Sequence, residues 1–196
     1  MNKIAQAPLD QLVSRCQLSP EALAAIAEAA DAAAAIEALE SNGFLAEAVR
    51  LFAHALPKRE AVWWACMCTR LAPADAGTPG READLKALET TENWVRQQDE
   101  DVRRQAIGQA RAIGFQTAEA WAAAAAFWSG DSMAPPEAPA PIPPPPELVG
   151  VAVAGAVTLA GARGDPRLQN DRLKRFLLSA RDIAAGGSGR VAQGSR

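Results

Sequence analysis

The chain has 196 residues, a formal net charge of −3, 49% hydrophobic residues, 5% aromatics and no tyrosine. That length sustains one buried core with an appendage, and the mildly negative balance argues against a general nucleic-acid binder. Alanine dominates the apolar fraction, and no stretch alternates apolar and polar residues long enough for a strand, so the pattern predicts an all-α fold.

The N-terminal MNKIAQAPLDQLVSRC lacks the apolar core of a secretory signal, and three cysteines form no disulfide framework. Both features point to a reducing, cytoplasmic setting. Ser19-Pro20-Glu21 supplies a cap, a first-turn proline and a first-turn acid, which predicts a helix over 20–30. Asp31 caps or kinks the next stretch, and Asn42-Gly43 stops it. From Phe44 to Ala55, Leu45, Ala48, Val49, Leu51 and Phe52 form an apolar face, with Glu47 and Arg50 on the wet side.

LPKREAVWWACMCTRL, residues 56–71, is the most informative run. Pro57 is preorganised for a first helical turn and Glu60 suits the helix dipole. No charge falls between Ala61 and Cys68, so this helix is expected to be surrounded by others. Lys58 and Arg59 oppose the dipole at a cost of roughly 0.3–1 kcal/mol each, the kind of local conflict kept for a pairing elsewhere. A glutamate of a neighbouring helix is the favoured counterpart, and a partner protein the other. Trp63 and Trp64 point about 100° apart, so one can lie nearer the surface as an interaction hot spot, although packing of both inside is the plainer reading. Lys58, Arg59, Trp63 and Trp64 are therefore the candidate partner-binding residues.

PADAGTPG, residues 73–80, reads as a loop. Helices follow over about 81–98, from Asp99 to Ile113 with Gly114 as the stop, and from Thr117 through AWAAAAAFW to Gly130. Short helices with short connections predict an antiparallel helical bundle or short array. MAPPEAPAPIPPPP, residues 133–146, favours extended polyproline geometry and reads as a strap reaching on the order of 40 Å and docking on the protein's own tryptophans, with an aromatic groove of another protein as the alternative. LVGVAVAGAVTLAGA, residues 148–162, is uncharged but shorter than the ~20 residues that a membrane-crossing helix needs. It is expected to return to the body, followed by an amphipathic helix over 166–184 and a disordered tail. The implied organisation is a helical body (1–132), a proline strap (133–146), a docked helical pair (147–185) and a tail (186–196). Residues 1–150 hold 12 Lys+Arg against 20 Asp+Glu, and residues 151–196 hold 8 against 3, so the basic end can dock on the acidic body.

Catalytic signatures are missing from the pattern. His54 is the single histidine and reads as a helix-end residue interacting with the dipole and terminal carbonyls. Cys66 and Cys68 lack a second Cys/His pair at zinc spacing and read as packed thiols. No phosphate-cradling or dinucleotide fingerprint occurs, so no metal or cofactor is expected. A carboxyl of raised pKa lining a pocket would favour an enzyme instead.

LPKREAVWWACMC, taken with AFWSGDSMAPP and the proline run, resembles a family of small, alanine-rich bacterial helical proteins of uncharacterised role. The resemblance covers roughly residues 50–160. It implies an accessory or adaptor role, an association with type VI secretion gene neighbourhoods, and no catalytic residues. The expected function is thus a non-enzymatic adaptor or chaperone that binds a protein partner. The alternative is a membrane-associated protein using residues 148–162 and the basic final helix. Arg163 to Arg181 carry no helix-turn-helix signature, so no nucleic acid is expected. Alanine-rich faces leave a homo-oligomer open.

Overall fold

The computed structural model describes residues 3–4, 7–73 and 81–190. Among them ten α-helices and no strand occur, so the fold is all-α as the composition predicts. The helices are α1 (Leu9–Ser14), α2 (Pro20–Ala25), α3 (Ala32–Ser41), α4 (Leu45–Ala55) and α5 (Lys58–Leu71). They continue with α6 (Arg81–Gln97), α7 (Glu100–Ile113), α8 (Ala118–Trp128), α9 (Leu148–Ala162) and α10 (Gln169–Ala184), the last entered through a 3₁₀ turn, Pro166–Leu168.

Capping chemistry fixes many of these boundaries. The side chains of Ser19, Asp31, Asp99 and Thr117 accept the first-turn N–H groups of Ala22, Ala34, Val102 and Ala120. Gly114, at φ +77°, ends α7 in the left-handed conformation that glycine adopts most cheaply. Helix α2 stops at Ala25 rather than near 30, and α1 is an element that periodicity does not announce. Of the loop expected at 73–80, residues 74–80 lie outside the described residues.

Helix α9 is the centre of the fold, packed against α4, α5, α8 and α10. Its lack of charge follows from that position, since Val149, Gly150, Ala152, Val153, Ala156, Val157 and Ala160 are all buried. Small side chains on α9 meet small ones on α8, where Ala122 through Ala126 are fully buried, and this lets the two helices approach closely. The few large side chains fill what remains. Trp64 is wholly buried with its ring centroid 5.8 Å from that of Phe52, and its Nε1 donates to the Phe176 carbonyl at 2.8 Å, tying α5 to α10. A second, smaller core lies between α6, α7 and α8 around Ala87, Ile107, Ala123 and Phe127. The basic C-terminal helices sit on the acidic body, with Arg163 paired to Glu119 of α8 and Arg181 to Glu40 of α3.

The proline-rich segment departs from the strap geometry. The Met133 N–H donates to the Ile142 carbonyl at 2.7 Å, and Ser132 Oγ accepts from Ala134 N–H at 3.1 Å and Ile142 N–H at 3.0 Å. Residues 132–142 therefore close on themselves. Arg103, only 3% exposed, holds the base of this loop: it donates to the carbonyls of Phe127 and Ser132 and stacks 4.6 Å from the Phe127 ring centroid. Gly130 is required there, because a Cβ would come within 2.6 Å of the Arg103 side chain. Most of the prolines, including Pro135, Pro139, Pro141 and Pro143, are exposed instead of docking on the tryptophans. The tail also differs from expectation. Residues 187–190 contact α5 and α10 through specific hydrogen bonds, and 191–196 lie outside the described residues.

Candidate functional site

Helix α5 carries the four candidate residues, and the helical period separates them. Trp64 faces inward and is fully buried, so it is a core residue and not a partner-binding one. Trp63, one position earlier, is half-buried at the surface, while Lys58 and Arg59 are exposed. The double tryptophan thus divides into a core anchor and a surface residue, and the reading in which both pack inside does not hold.

Arg59 resolves its conflict with the dipole of α5 in an unexpected way. Its Nε donates to the Val95 carbonyl at 2.7 Å, so the cation sits at the C-terminal end of α6, where a helix dipole favours it. A backbone carbonyl takes the place of the expected glutamate. Glu60, beside it, pairs with Lys3 at 3.1 Å.

Two clefts flank Trp63. The smaller, of about 320 Å³, lies between Trp63, Arg59, Val95 and Ile183, with Lys3 and Arg96 at its rim. The larger, of about 480 Å³, runs past Met67 and Leu71 to Arg70, Glu92 and Arg190. Trp63 and Arg96 line both, so the pair forms one groove with an indole at its middle. The rim is mainly cationic. Glu92 is held by Arg70 through two bonds of 2.9 and 3.1 Å and by Arg96 at 3.9 Å, and the bonds to Glu92 push the Arg70 guanidinium above its ordinary pKa. Lys3, Arg59, Arg70 and Arg96 outnumber Glu60 and Glu92 even without Arg190 of the 187–190 segment, so the groove combines apolar lining with positive charge.

Elsewhere, His54 lines a cleft of about 460 Å³ with Arg15, Arg50, Trp121 and the outer face of α9. Burial, assisted by Arg15, lowers its pKa to about 4. The ring is therefore neutral at physiological pH and packs on Gly150, so it is no cationic cap for α4. The free thiols of Cys16, Cys66 and Cys68 are buried and raised in pKa by that burial, which keeps them protonated. Among the described residues, no group of three or more His, Cys, Asp or Glu side chains is placed to hold a metal ion.

A fourth cleft, of about 390 Å³, is lined by Arg81, Asp84, Thr117 and Arg163. Burial raises the Asp84 carboxyl, partly offset by the Thr117 hydroxyl that donates to it at 2.9 Å. Glu119 beneath is wholly buried. Burial pulls its carboxyl up, but Arg163 and Arg81 outweigh that and hold it below its ordinary value. Each carboxylate of this cluster has a partner that accounts for it structurally: Arg81 and Arg163 bridge α6 and the end of α9 to α8 through Glu119.

Of the candidates read from the sequence, Arg59 and Trp63 line the groove and Lys58 does not; Arg70, Glu92, Arg96, Ile183 and the 187–190 segment line it without having been candidates. These lie on α5, α6, α10 and beyond, and only the tertiary fold brings them together. Residues 35–184 match the model of DUF6931, described as a family of unknown function. No curated protein and no solved structure matches the chain. The groove straddles the edge of the family match: Arg59, Trp63, Val95 and Ile183 lie inside, and Lys3 and residues 187–190 lie outside.

Proposed function

The chain belongs to the DUF6931 family, and within it we propose a non-enzymatic helical adaptor or chaperone that binds a protein partner through the groove beside Trp63. The observation that carries this reading is a half-buried tryptophan centred between two clefts with a cationic rim. Tryptophan and arginine are the residue types that concentrate binding energy at protein interfaces, and an indole gives large contact area at little entropy cost. The chemistry fits a segment with an apolar or small residue over Trp63 and acidic groups toward Arg59 and Arg96. The resemblance noted in the sequence makes a type VI secretion component in the cytoplasm the first partner to test.

The membrane alternative has less support. Helix α9 is packed on four other helices, so inserting it into lipid would dismantle the core, and no helix among the described residues is long and apolar enough to cross a membrane. The adaptor reading is tested by affinity capture of tagged protein, comparing wild type with Arg59→Glu and Trp63→Asp. A specific partner held by the wild type and lost in both variants, with their melting temperatures little changed, is the expected result. Retention of every partner by both variants overturns the assignment.

A further inference from the structure

A peptide already lies across the groove and forms part of its wall: the chain's own residues 187–190. After α10 the backbone turns at Gly186, at φ +96°, and the Gly187 N–H donates to the Asp182 carbonyl at 2.8 Å. Three side chains of the body then grip the main chain. Trp63 Nε1 donates to the Ser188 carbonyl at 2.8 Å, Ser179 Oγ donates to the Gly189 carbonyl at 2.7 Å, and Asp182 Oδ2 accepts the Gly189 N–H at 2.8 Å. Recognition of this kind reads backbone and leaves side chains to be selected by space. Space is tight. A Cβ on Gly189, at φ +77°, would lie 2.7 Å from Ile183 Cδ1, and a Cβ on Gly187 would lie 2.2 Å from Asp182 Oδ2.

The segment also separates the two clefts. Gly187 lines the smaller, whereas Gly189 and Arg190 line the larger, so the segment crosses the groove beside Trp63. Arg190 brings a further cation to a cleft lined by Arg70 and Arg96, whose acid Glu92 is already bonded to both of them. A competing peptide with an acid at that place would gain what the tail lacks.

We propose that residues Gly187–Arg190 are an internal stand-in for the partner's segment: the partner docks as an extended peptide, read through its backbone by Trp63, Ser179 and Asp182, with glycine at the place of Gly189 and an acidic residue at the place of Arg190. This rests on the groove being the partner surface. A tethered segment competes at an effective concentration on the order of millimolar, so the tail excludes weak binders and yields to a matched one.

The test uses the full ¹⁵N-labelled chain and the five tryptophan indole signals in its spectrum, with Trp63→Phe assigning the relevant one. Gly189→Val is expected to undock the tail and shift the Trp63 indole signal, and Gly187→Val serves as an independent undocking variant should the first fail to fold. Adding a synthetic peptide of residues 185–190 bearing Arg190→Glu returns the signal toward its wild-type position. The same peptide with the native Arg190 does so at a concentration at least about fivefold higher, and one also bearing Gly189→Val does not do so at all. Failure of the acidic peptide to move the signal at millimolar concentration, or equal action of the valine peptide, overturns the proposal. Capture of a partner that Trp63→Asp abolishes, alongside such a failure, leaves the groove as the partner site and removes only the stand-in.

Discussion

Acidifying the protein from pH 7 to pH 5 removes stability through one side chain. His54 has a pKa of about 4 in the fold against an ordinary 6.5, with burial the main cause. The folded value is the lower, so the fold favours the neutral ring. The unfolded chain begins to take up a proton as the pH falls below 6.5, while the folded chain resists until about 4. The stabilisation is therefore complete above that upper value and is lost progressively toward the lower one. At roughly 1.36 kcal/mol per pH unit the whole gap is worth about 3 kcal/mol, and about 2 kcal/mol of it is lost by pH 5. Because the ring keeps some contact with solvent, about 1–2 kcal/mol is the expected loss. Urea unfolding followed by tryptophan fluorescence at both pH values, on wild type and His54→Gln, isolates the term, since other titrating groups cancel in the double difference. As the chain has one histidine, its imidazole proton resonance also gives the folded pKa directly. Equal acid sensitivity of the two proteins, or a measured pKa above 6, refutes the reasoning.

Other perturbations separate the packing claims. Gly150→Ala places a methyl 2.2 Å from His54 Nδ1 and should cost about 1–3 kcal/mol, whereas Gly155→Ala meets Trp121 at an ordinary 3.4 Å and should be neutral or up to about 1 kcal/mol stabilising. The pair of melting temperatures decides. Glu119→Gln removes the buried carboxylate that both Arg81 and Arg163 bond and should cost about 3–5 kcal/mol at neutral pH by urea unfolding; a loss under about 1 kcal/mol would contradict the role given to this cluster. In the wild type the Glu119 carboxyl is held below its ordinary 4.5, so its contribution is present above that pH and lost as the pH falls below it. Arg103→Ala frees the carbonyls of Phe127 and Ser132 and should cost about 3 kcal/mol. It should also speed amide hydrogen exchange at Met133 and Ile142, the closure of the proline loop; unchanged exchange there would refute the clamp.

Much of the fold was legible because its signals are local. Ser19, Asp31, Asp99 and Thr117 cap helices in the structure as their positions in the sequence suggest, and Gly114 stops one. The uncharged run from 148 to 162 marks the buried α9 because a helix without a polar face has to be surrounded. Helix α1 escaped notice because it has six residues and one buried side chain, Leu12, too little for a period to show. The proline segment was misread because its closure depends on Ser132, Arg103 and a main-chain bond nine residues along, none of which composition reveals. In the site, Trp63 and Arg59 stood out as local anomalies, an aromatic pair and a first-turn cation. The rest of the groove did not, because Lys3, Arg96, Ile183 and Ser188 are each ordinary where they stand in the chain.

The central claim is that a partner protein docks beside Trp63, and photo-cross-linking tests it most directly. A photoreactive amino acid replaces exposed Lys58, at the start of the tryptophan helix, and in a parallel variant replaces exposed Glu137 in the proline loop. Irradiation in living cells should yield one discrete adduct with a protein from position 58 and none from position 137. An adduct from 137 alone, or none from 58 under conditions where affinity capture recovers a partner, would contradict the account.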